Sequence, residues 1–371
     1  MAEPLCKKFG KCGGCSAQHI DYELQVENKR SWIVQATGFQ DVKAFSGKPY
    51  SYRNRMDFIF HNQGLGFREK NRWDSIVDID ECVISDERMN VILKSIREFF
   101  RGVDAFDTRK HSGTYRYAVI RTPRGDESAS FVLNSDSNRI KEAVEKIKEF
   151  AKISDMKNII VTYVKSNSDV SISDDYFVVK GKDVLKETYL GKTFSYSVQG
   201  FFQNNSEMAE RMQEYCNELF KKYDTSKSYM LDLYGGVGTF GIINSGLFRS
   251  VTIVEEFQGS IDAANRNIKD NNLTNVTAIA MDAKQLQKLK LFNPLYVLTD
   301  PPRSGMHPKA IKNLNDLKPE VIIYVSCNPQ QLKKEITHFK GYEIKSVAMF
   351  DLFPQTPHCE SVIELKLKQT A

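Results

Sequence analysis

Leu231-Asp232-Leu233-Tyr234-Gly235-Gly236-Val237-Gly238-Thr239 decides how the second half of the chain folds. An apolar run stops at a glycine cluster and a helical pattern resumes at Thr239, as where a strand turns tightly into a helix with its backbone against a ligand. Outward from this point, after Gln203, the runs MLDLY (230–234), VTIVEE (251–256), VTAIAM (276–281), YVLTD (296–300), VIIYVS (321–326), YEIKSVAMF (342–350) and SVIELKLK (361–368) alternate with helical stretches. That alternation predicts a doubly wound α/β sheet with its ligands at the carboxyl ends of the strands.

The pattern changes near residue 200. Before it lie a cysteine-rich head, a helical pattern from about Tyr22 to Thr37, and short runs such as MDFIF (56–60), YAVIRT (117–122), SASFVL (128–133) and NIIVTYV (158–164), which read as an α+β region rich in strand. The expected division is a head and central α+β domain over 1–199 and an α/β domain over 200–371, with the segment 18–49 able to pack on the latter. A chain of 371 residues, 41% hydrophobic and 27% charged, suits two globular cores and excludes disordered, collagenous or disulfide-stapled classes. No apolar run reaches the ~18 residues of a membrane helix, and MAEPLCKKFG lacks the apolar centre of a signal peptide, so a cytoplasmic protein without a membrane partner is expected. The net charge of +5 admits a polyanionic partner without requiring one. Nothing in the composition marks an obligatory protein partner.

Glu255 ends the next apolar run, 20 residues after Gly235, where a carboxylate can accept bonds from both ribose hydroxyls. The cluster GGVG departs from G-x-G-x-x-G, the spacing that cradles a pyrophosphate. It suits an adenosine ligand without one, such as S-adenosylmethionine (SAM), held by Gly235, Gly238 and Thr239, with Asp282 on the adenine side.

Asp300-Pro301-Pro302-Arg303-Ser304-Gly305 and Ser326-Cys327-Asn328-Pro329 each follow an apolar run, so both are expected at the same crevice. A cysteine after VIIYVS is by itself more often a small buried hydrophobe than a nucleophile. Its company changes that reading, because a thiol beside a methyl donor supports one specific chemistry. Carbon 5 of uracil is a poor nucleophile until a thiolate adds to carbon 6 and turns the ring into an enolate. After methyl transfer a base must remove the proton at carbon 5. Glu360, in Phe353-Pro354-Gln355-Thr356-Pro357-His358-Cys359-Glu360, is the candidate base and His358 its competitor. Arg303 could stabilise the enolate oxygen or lower the thiol pKa, and Asp300 could orient the base or the cofactor.

FFQNN (201–205), LDLYGGVGTF (231–240), DPPRSG (300–305), SCNP (326–329) and DLFPQTPHCE (351–360), in this order and spacing, resemble the RNA (uracil-5-)-methyltransferase family. The resemblance implies a Rossmann-like SAM-dependent methyltransferase domain. It also implies that Gln203, Tyr234, Glu255 and Asp300 line the SAM site, that Cys327 is the nucleophile and that Glu360 is the base. Thr239 stands where relatives often carry asparagine, and Asp282 replaces another polar residue.

In the head, Cys6-x5-Cys12-x2-Cys15 with Cys82 offers four thiolates, and ligand chemistry leaves zinc and an iron–sulfur cluster both open. The resemblance favours a [4Fe-4S] cluster in a structural or RNA-positioning role. Cys216 and Cys359 receive no role. Tyr50–Arg55, Gly66–Lys70 and Arg109–Arg124 interleave aromatic and cationic residues in the manner of surfaces that hold splayed single strands, although a solvated basic sheet face reads the same way. Ribosomal relatives often carry a small β-barrel ahead of the cluster, and a cluster beginning at Cys6 leads one to expect none here. Ribosomal RNA is the favoured substrate, with the transfer-RNA T-loop as the alternative. Methylation of an exocyclic amine is disfavoured, since Arg303 stands where an aromatic follows the D-P-P motif. A non-catalytic iron–sulfur RNA-binding protein is the rival of another class.

Overall fold

The computed structural model describes residues 2–368. The described residues form two compact units, and each is discontinuous in sequence: one takes residues 2–22, 48–187 and 197–206, the other 23–47, 188–196 and 207–368. The division is therefore not a single cut at residue 199. It follows strand pairing, which claims an early segment for the later sheet.

That early segment is α1 (Tyr22–Thr37) followed by β1 (Val42–Phe45). The first unit then runs β2 (Arg55–His61), β3 (Gly64–Glu69), β4 (Arg72–Asp78), α2 (Glu87–Phe99), β5 (Tyr115–Arg121), β6 (Ser128–Asn134), α3 (Ile140–Ile153), β7 (Asn158–Val164) and β8 (Tyr176–Lys180). Its seven strands lie in the order β4-β3-β2-β5-β6-β7-β8. The alternation in RMDFIFH puts Met56, Phe58 and Phe60 on the buried face. The apolar stripes of α2 (Met89, Ile92, Leu93, Ile96) and α3 (Ala143, Ile147, Phe150, Ala151) join the same core. Phe100 anchors it, with ring centroids 4.8 Å from Phe131 and 5.3 Å from Phe150.

Two short strands, β9 (Val184–Tyr189) and β10 (Lys192–Ser197), pair as a separate two-stranded sheet. The second unit continues with α4 (Ser206–Lys221), β11 (Tyr229–Leu233), α5 (Thr239–Asn244), β12 (Ser250–Glu255), α6 (Gln258–Asp270), β13 (Val276–Ala280), β14 (Leu295–Thr299), α7 (Pro308–Leu317), β15 (Val321–Ser326), α8 (Pro329–Glu335), β16 (Tyr342–Phe350) and β17 (Glu360–Leu367). The strands predicted after Gln203 are present, in the order β1-β16-β17-β15-β14-β11-β12-β13. From β15 to β13 the neighbours are parallel, so their carboxyl ends share one edge. Periodicity could not supply two further features. β1 adds to β16 in parallel, with Phe45 opposite Phe350, and β17 runs antiparallel to both β15 and β16. An antiparallel strand begins where its parallel neighbours end, so the start of β17 lies on the edge that carries the ends of β11, β12, β14 and β15.

Candidate active site

The glycine loop leaves β11 at Tyr234, whose φ of +61° is left-handed, and passes through Gly236 (+53°) and Gly238 (+87°) before α5 begins. Gly238 cannot be replaced without strain, and a Cβ at Gly235 would come within 2.6 Å of Ile253 Cγ2 and 3.0 Å of Asp232 Oδ2. The turn is tied down from within by Gly235 N donating to Val254 O (3.1 Å) and Gly238 N to Gly235 O (2.8 Å). Glu255 sits beside it. Its carboxylate accepts the Gly236 N–H at 3.2 Å and the Phe257 N–H at 3.0 Å, with lone pairs left for a ligand. Thr239 Oγ1 accepts a hydrogen bond from Gln213 Nε2 (3.2 Å).

Asp282 follows β13 but is already engaged. It caps the following turn through Lys284 N (2.9 Å) and pairs with Lys284 Nζ at 2.7 Å, and the Lys284 hydrogen bond holds its carboxyl below the usual range. Gln203 belongs to the first unit, where its carbonyl accepts Asn54 Nδ2 at 3.3 Å. Tyr234 is half-buried, and desolvation pushes its phenol up to about 12.

Cys327 and Glu360 meet through strand register. Ser326 on β15 is paired with Ser361 on β17, so the next step outward sets Cys327 against Glu360. Burial raises the Cys327 thiol to about 11, and the charges of Glu360 and Asp300 add to the rise while Arg303 opposes it. Glu360 is 6% exposed, and burial followed by repulsion from Asp300 lifts its carboxyl well above the usual range, again against Arg303. Asp300 lies at the rim of the crevice yet is desolvated enough that its carboxyl rises to about 7. The charges of Asp300 and Arg303 therefore act on both Cys327 and Glu360. Arg303 Nη1 also lies 3.4 Å from His358 Nδ1.

Several supporting residues carry no sequence signal of their own. Asp232, in mid-strand, is fully buried; Oδ2 accepts the Gly241 N–H at 2.8 Å, and desolvation raises the carboxyl to about 7. Asn328 caps α8 and its Nδ2 donates to Arg303 O at 3.2 Å, joining SCNP to DPPRSG. Glu335, buried at the end of α8, accepts Met306 N (2.9 Å), Gln331 Nε2 (2.6 Å) and the Tyr324 hydroxyl. A Cβ at Gly305 would overlap that carboxylate, and its φ is +83°. An acid in a basic, polar helix reads from sequence as surface.

In the first unit, Cys6, Cys12, Cys15 and Cys82 line one cavity of about 390 Å³ together with Arg53, Arg55 and Phe67. Backbone N–H groups already face two of the sulfurs: Lys8 N lies 3.4 Å from Cys6 Sγ and Gly14 N 3.4 Å from Cys12 Sγ. Burial, and then the neighbouring sulfurs, push Cys15 up to about 12 and raise Cys12 as well. Among the described residues, no group of three His, Cys, Asp or Glu side chains is arranged to hold a metal ion. The expected head thus assembles its donors around a shared space without closing on a point.

The segments expected to hold RNA are β2, β3 and β5 with their loops, and their cations are largely engaged. Arg55 pairs with Asp57 (3.0 Å), Arg68 with Asp169 (2.7 Å) and Arg109 with Asp74. Arg116 donates to Lys165 O at 3.0 Å and lies over the Phe106 ring at 4.0 Å, and Arg121 donates to Gly200 O at 2.6 Å. Trp73, 62% exposed, and Arg72 remain on the surface of β4. Among the described residues, no helix is long and apolar enough to cross a membrane.

A family model described as tRNA (Uracil-5-)-methyltransferase matches residues 21–368. A tRNA (uracil(54)-C(5))-methyltransferase of Pyrococcus abyssi is 33% identical over 98% of this chain and 85% of its own length. A protein of the same description from Pyrococcus horikoshii is 34% identical over 97% and 85%. An uncharacterized RNA methyltransferase of Clostridium tetani is 33% identical over 99% and 85%. The crystal structure of the Pyrococcus abyssi tRNA (uracil-54, C5)-methyltransferase in complex with S-adenosyl-L-homocysteine superposes with a TM-score of 0.81 at 30% identity, covering 95% of this chain and 86% of that one. The expectation of ribosomal RNA finds no support in these relatives, since those with an assigned substrate are described as acting on transfer RNA.

Proposed function

The chain belongs to the tRNA (uracil-5-)-methyltransferase family, and from that premise we propose that it transfers the methyl group of SAM to carbon 5 of a uridine in transfer RNA, the T-loop position 54 of its relatives being the favoured target. The observation that carries the mechanism is the β15–β17 register, which ends at Ser326–Ser361 and makes Cys327 and Glu360 the next residues of the two strands, with the charge of Glu360 acting on the thiol.

The crevice fits a cationic ligand. Burial raises the carboxyls of Asp232, Asp300 and Glu360, the charge of Asp300 adds to the rise of the other two, and a positive sulfonium nearby relieves that repulsion. Glu255 would take the ribose hydroxyls, and the loop Tyr234–Thr239 would lie against the nucleoside. SAM, when bound, supplies an electrophilic methyl group. The Cys327 sulfur forms a bond to carbon 6 of the uracil, and the ring electrons move to the carbon 4 oxygen, where Arg303 stabilises the negative charge. Carbon 5 then takes the methyl group, whose bond to the sulfonium sulfur would break to leave S-adenosyl-L-homocysteine. Glu360 removes the proton from carbon 5, the double bond returns, and the carbon 6–sulfur bond breaks with departure of the thiolate. Asp300 orients Glu360 and holds the adjoining charge.

Incubation with SAM and a transfer-RNA transcript containing 5-fluorouridine tests this. Fluorine cannot leave as a proton, so an adduct stable to denaturing electrophoresis is expected with the native protein and none with Cys327→Ala. An adduct that persists in Cys327→Ala would refute the assignment.

We propose further that Cys6, Cys12, Cys15 and Cys82 hold a [4Fe-4S] cluster. A single zinc needs four sulfurs about 2.3 Å from one point, whereas these donors surround a cavity of about 390 Å³ with backbone N–H groups aimed at two of them, the environment of a larger anionic cluster. Methyl transfer needs no electron, so the group would order the head. Anaerobically purified protein should be brown, with absorption near about 400 nm; a colourless protein with stoichiometric zinc would overturn the reading.

A further inference from the structure

α1 buries a stripe of Gln25, Lys29, Ile33 and Ala36, residues one turn apart on one face. Half of that stripe is polar. Gln25 is 4% and Lys29 1% exposed, in a helix that could have buried two more apolar side chains at lower desolvation cost. Both hold partners in the segment that joins β16 to β17. Gln25 Nε2 donates to Gln355 Oε1 (3.0 Å) while Gln25 Oε1 accepts the Gln355 N–H (3.1 Å). Lys29 Nζ donates to Asp351 Oδ1 at 2.7 Å and to Phe353 O at 3.1 Å.

This segment, Asp351–Cys359, has no strand pairing of its own and leads directly into Glu360. It also carries strain. Gln355 has a φ of +67°, a left-handed conformation that a non-glycine residue keeps when its surroundings hold it there. The Gln25 amide grips that residue at both its backbone and its side chain. Downstream, Thr356 Oγ1 donates to Phe353 O (2.8 Å) and accepts the His358 N–H (3.2 Å), so the position fixed by Lys29 is passed towards His358 and Glu360. Upstream, Asp351 N is fixed to Phe45 O on β1 at 2.9 Å.

We propose that Gln25 and Lys29 are positioning residues for proton abstraction: one turn of α1 sets the Asp351–Cys359 segment so that Glu360 points at carbon 5 of the methylated adduct. The proposal rests on Glu360 being the base. It assigns the buried polar half of α1 a geometric task, since misplacing a catalytic group by about 1 Å slows its step about a hundredfold.

The test separates the two halves of the reaction in a single turnover. A transfer-RNA transcript with tritium at carbon 5 of uridine is mixed with SAM, and methyl incorporation and tritium release are followed on the same sample. In Gln25→Ala, methyl incorporation should stay within about twofold of the native rate while tritium release slows about tenfold or more, so that the covalent adduct accumulates. Lys29→Met should show the same split, and Lys29→Arg, which keeps a cation for Asp351 and Phe353 O, should restore release. If methyl incorporation and tritium release fall together, or if neither changes in Gln25→Ala, α1 does not position the base. Glu360→Gln distinguishes this from failure of the underlying reading. Native tritium release in Glu360→Gln removes Glu360 as the base, whereas blocked release there with normal release in Gln25→Ala removes only the role of α1.

Discussion

The two sulfur sites of this protein raise their thiols by different means. In the crevice of the second unit one thiol, Cys327, faces carboxyls on neighbouring strand ends and a single arginine. In the head of the first unit Cys15 faces three other thiols and no opposing charge among the causes of its shift. Both are pushed up, to about 11 and about 12, first by burial and then by negative neighbours. The difference teaches what each awaits. The crevice has its counter-charge partly built in, through Arg303, and needs one further cation and an electrophile. In the head no cation is among the causes that shift Cys15, although Arg53 and Arg55 line the same cavity, and the proposed cluster would neutralise the thiolates by bonding them outright.

The largest effect expected on this contrast is Cys327→Ala, which should lower methylation by about 10⁴-fold or more while leaving the absorption of the proposed cluster unchanged; loss of both would mean that the sites are not independent. Next is Glu360→Gln, for which methyl transfer to ordinary uridine should proceed but turnover fall by about 10³-fold, with adduct visible on denaturing gels. Cys15→Ala should abolish absorption near about 400 nm and leave single-turnover methylation of bound transcript by the folded fraction within about tenfold of native. A smaller effect belongs to Arg303→Gln. Alkylation of Cys327 follows its thiolate, and Arg303 lowers its pKa, so removal should shift the alkylation–pH profile upward by about one unit or less.

The smallest concerns Asp232. Its carboxyl, near 3.8 when unperturbed, rises to about 7 in the fold, so the folded state binds the proton more tightly than the unfolded chain. Stability is therefore greatest below about pH 4 on this account alone and declines as pH rises towards 7. Asp232→Asn removes that dependence, and the difference in Tm between pH 5 and pH 8, measured without ligand, should shrink by a few degrees (about 2 to 4 °C per kcal/mol at this size). An unchanged difference would assign the titration elsewhere.

Much of the catalytic sheet was legible because a buried parallel strand such as VIIYVS reads as a nearly unbroken apolar run, while YEIKSVAMF alternates before it turns apolar; these coincide with β15 and β16 to the residue, and Tyr22–Thr37 with α1. Pairing was not legible. Nothing in VKAF says that β1 joins β16, and nothing in SVIELKLK says that β17 reverses direction, because partner and direction depend on segments far away in sequence. The burial of Gln25, Lys29, Asp232 and Glu335 was hidden for a related reason: polar residues read as surface until their partners are known. Asp282 shows the converse, a residue at the end of a strand whose carboxylate is spent on a cap and on Lys284.

The sequence by itself determined the α/β class, the glycine loop that turns at the end of β11, and the set of thiols and carboxyls available for chemistry, since these follow from local periodicity and from residue type. Only the tertiary structure decided that Cys327 and Glu360 act on each other's neighbourhood, because their nearness depends on an antiparallel strand entering the sheet at the register Ser326–Ser361. It likewise decided that α1, more than 300 residues earlier in the chain, holds the segment before Glu360. Hydrogen bonds and charges act over a few ångströms of space, and separation along the chain does not reveal which groups come that close.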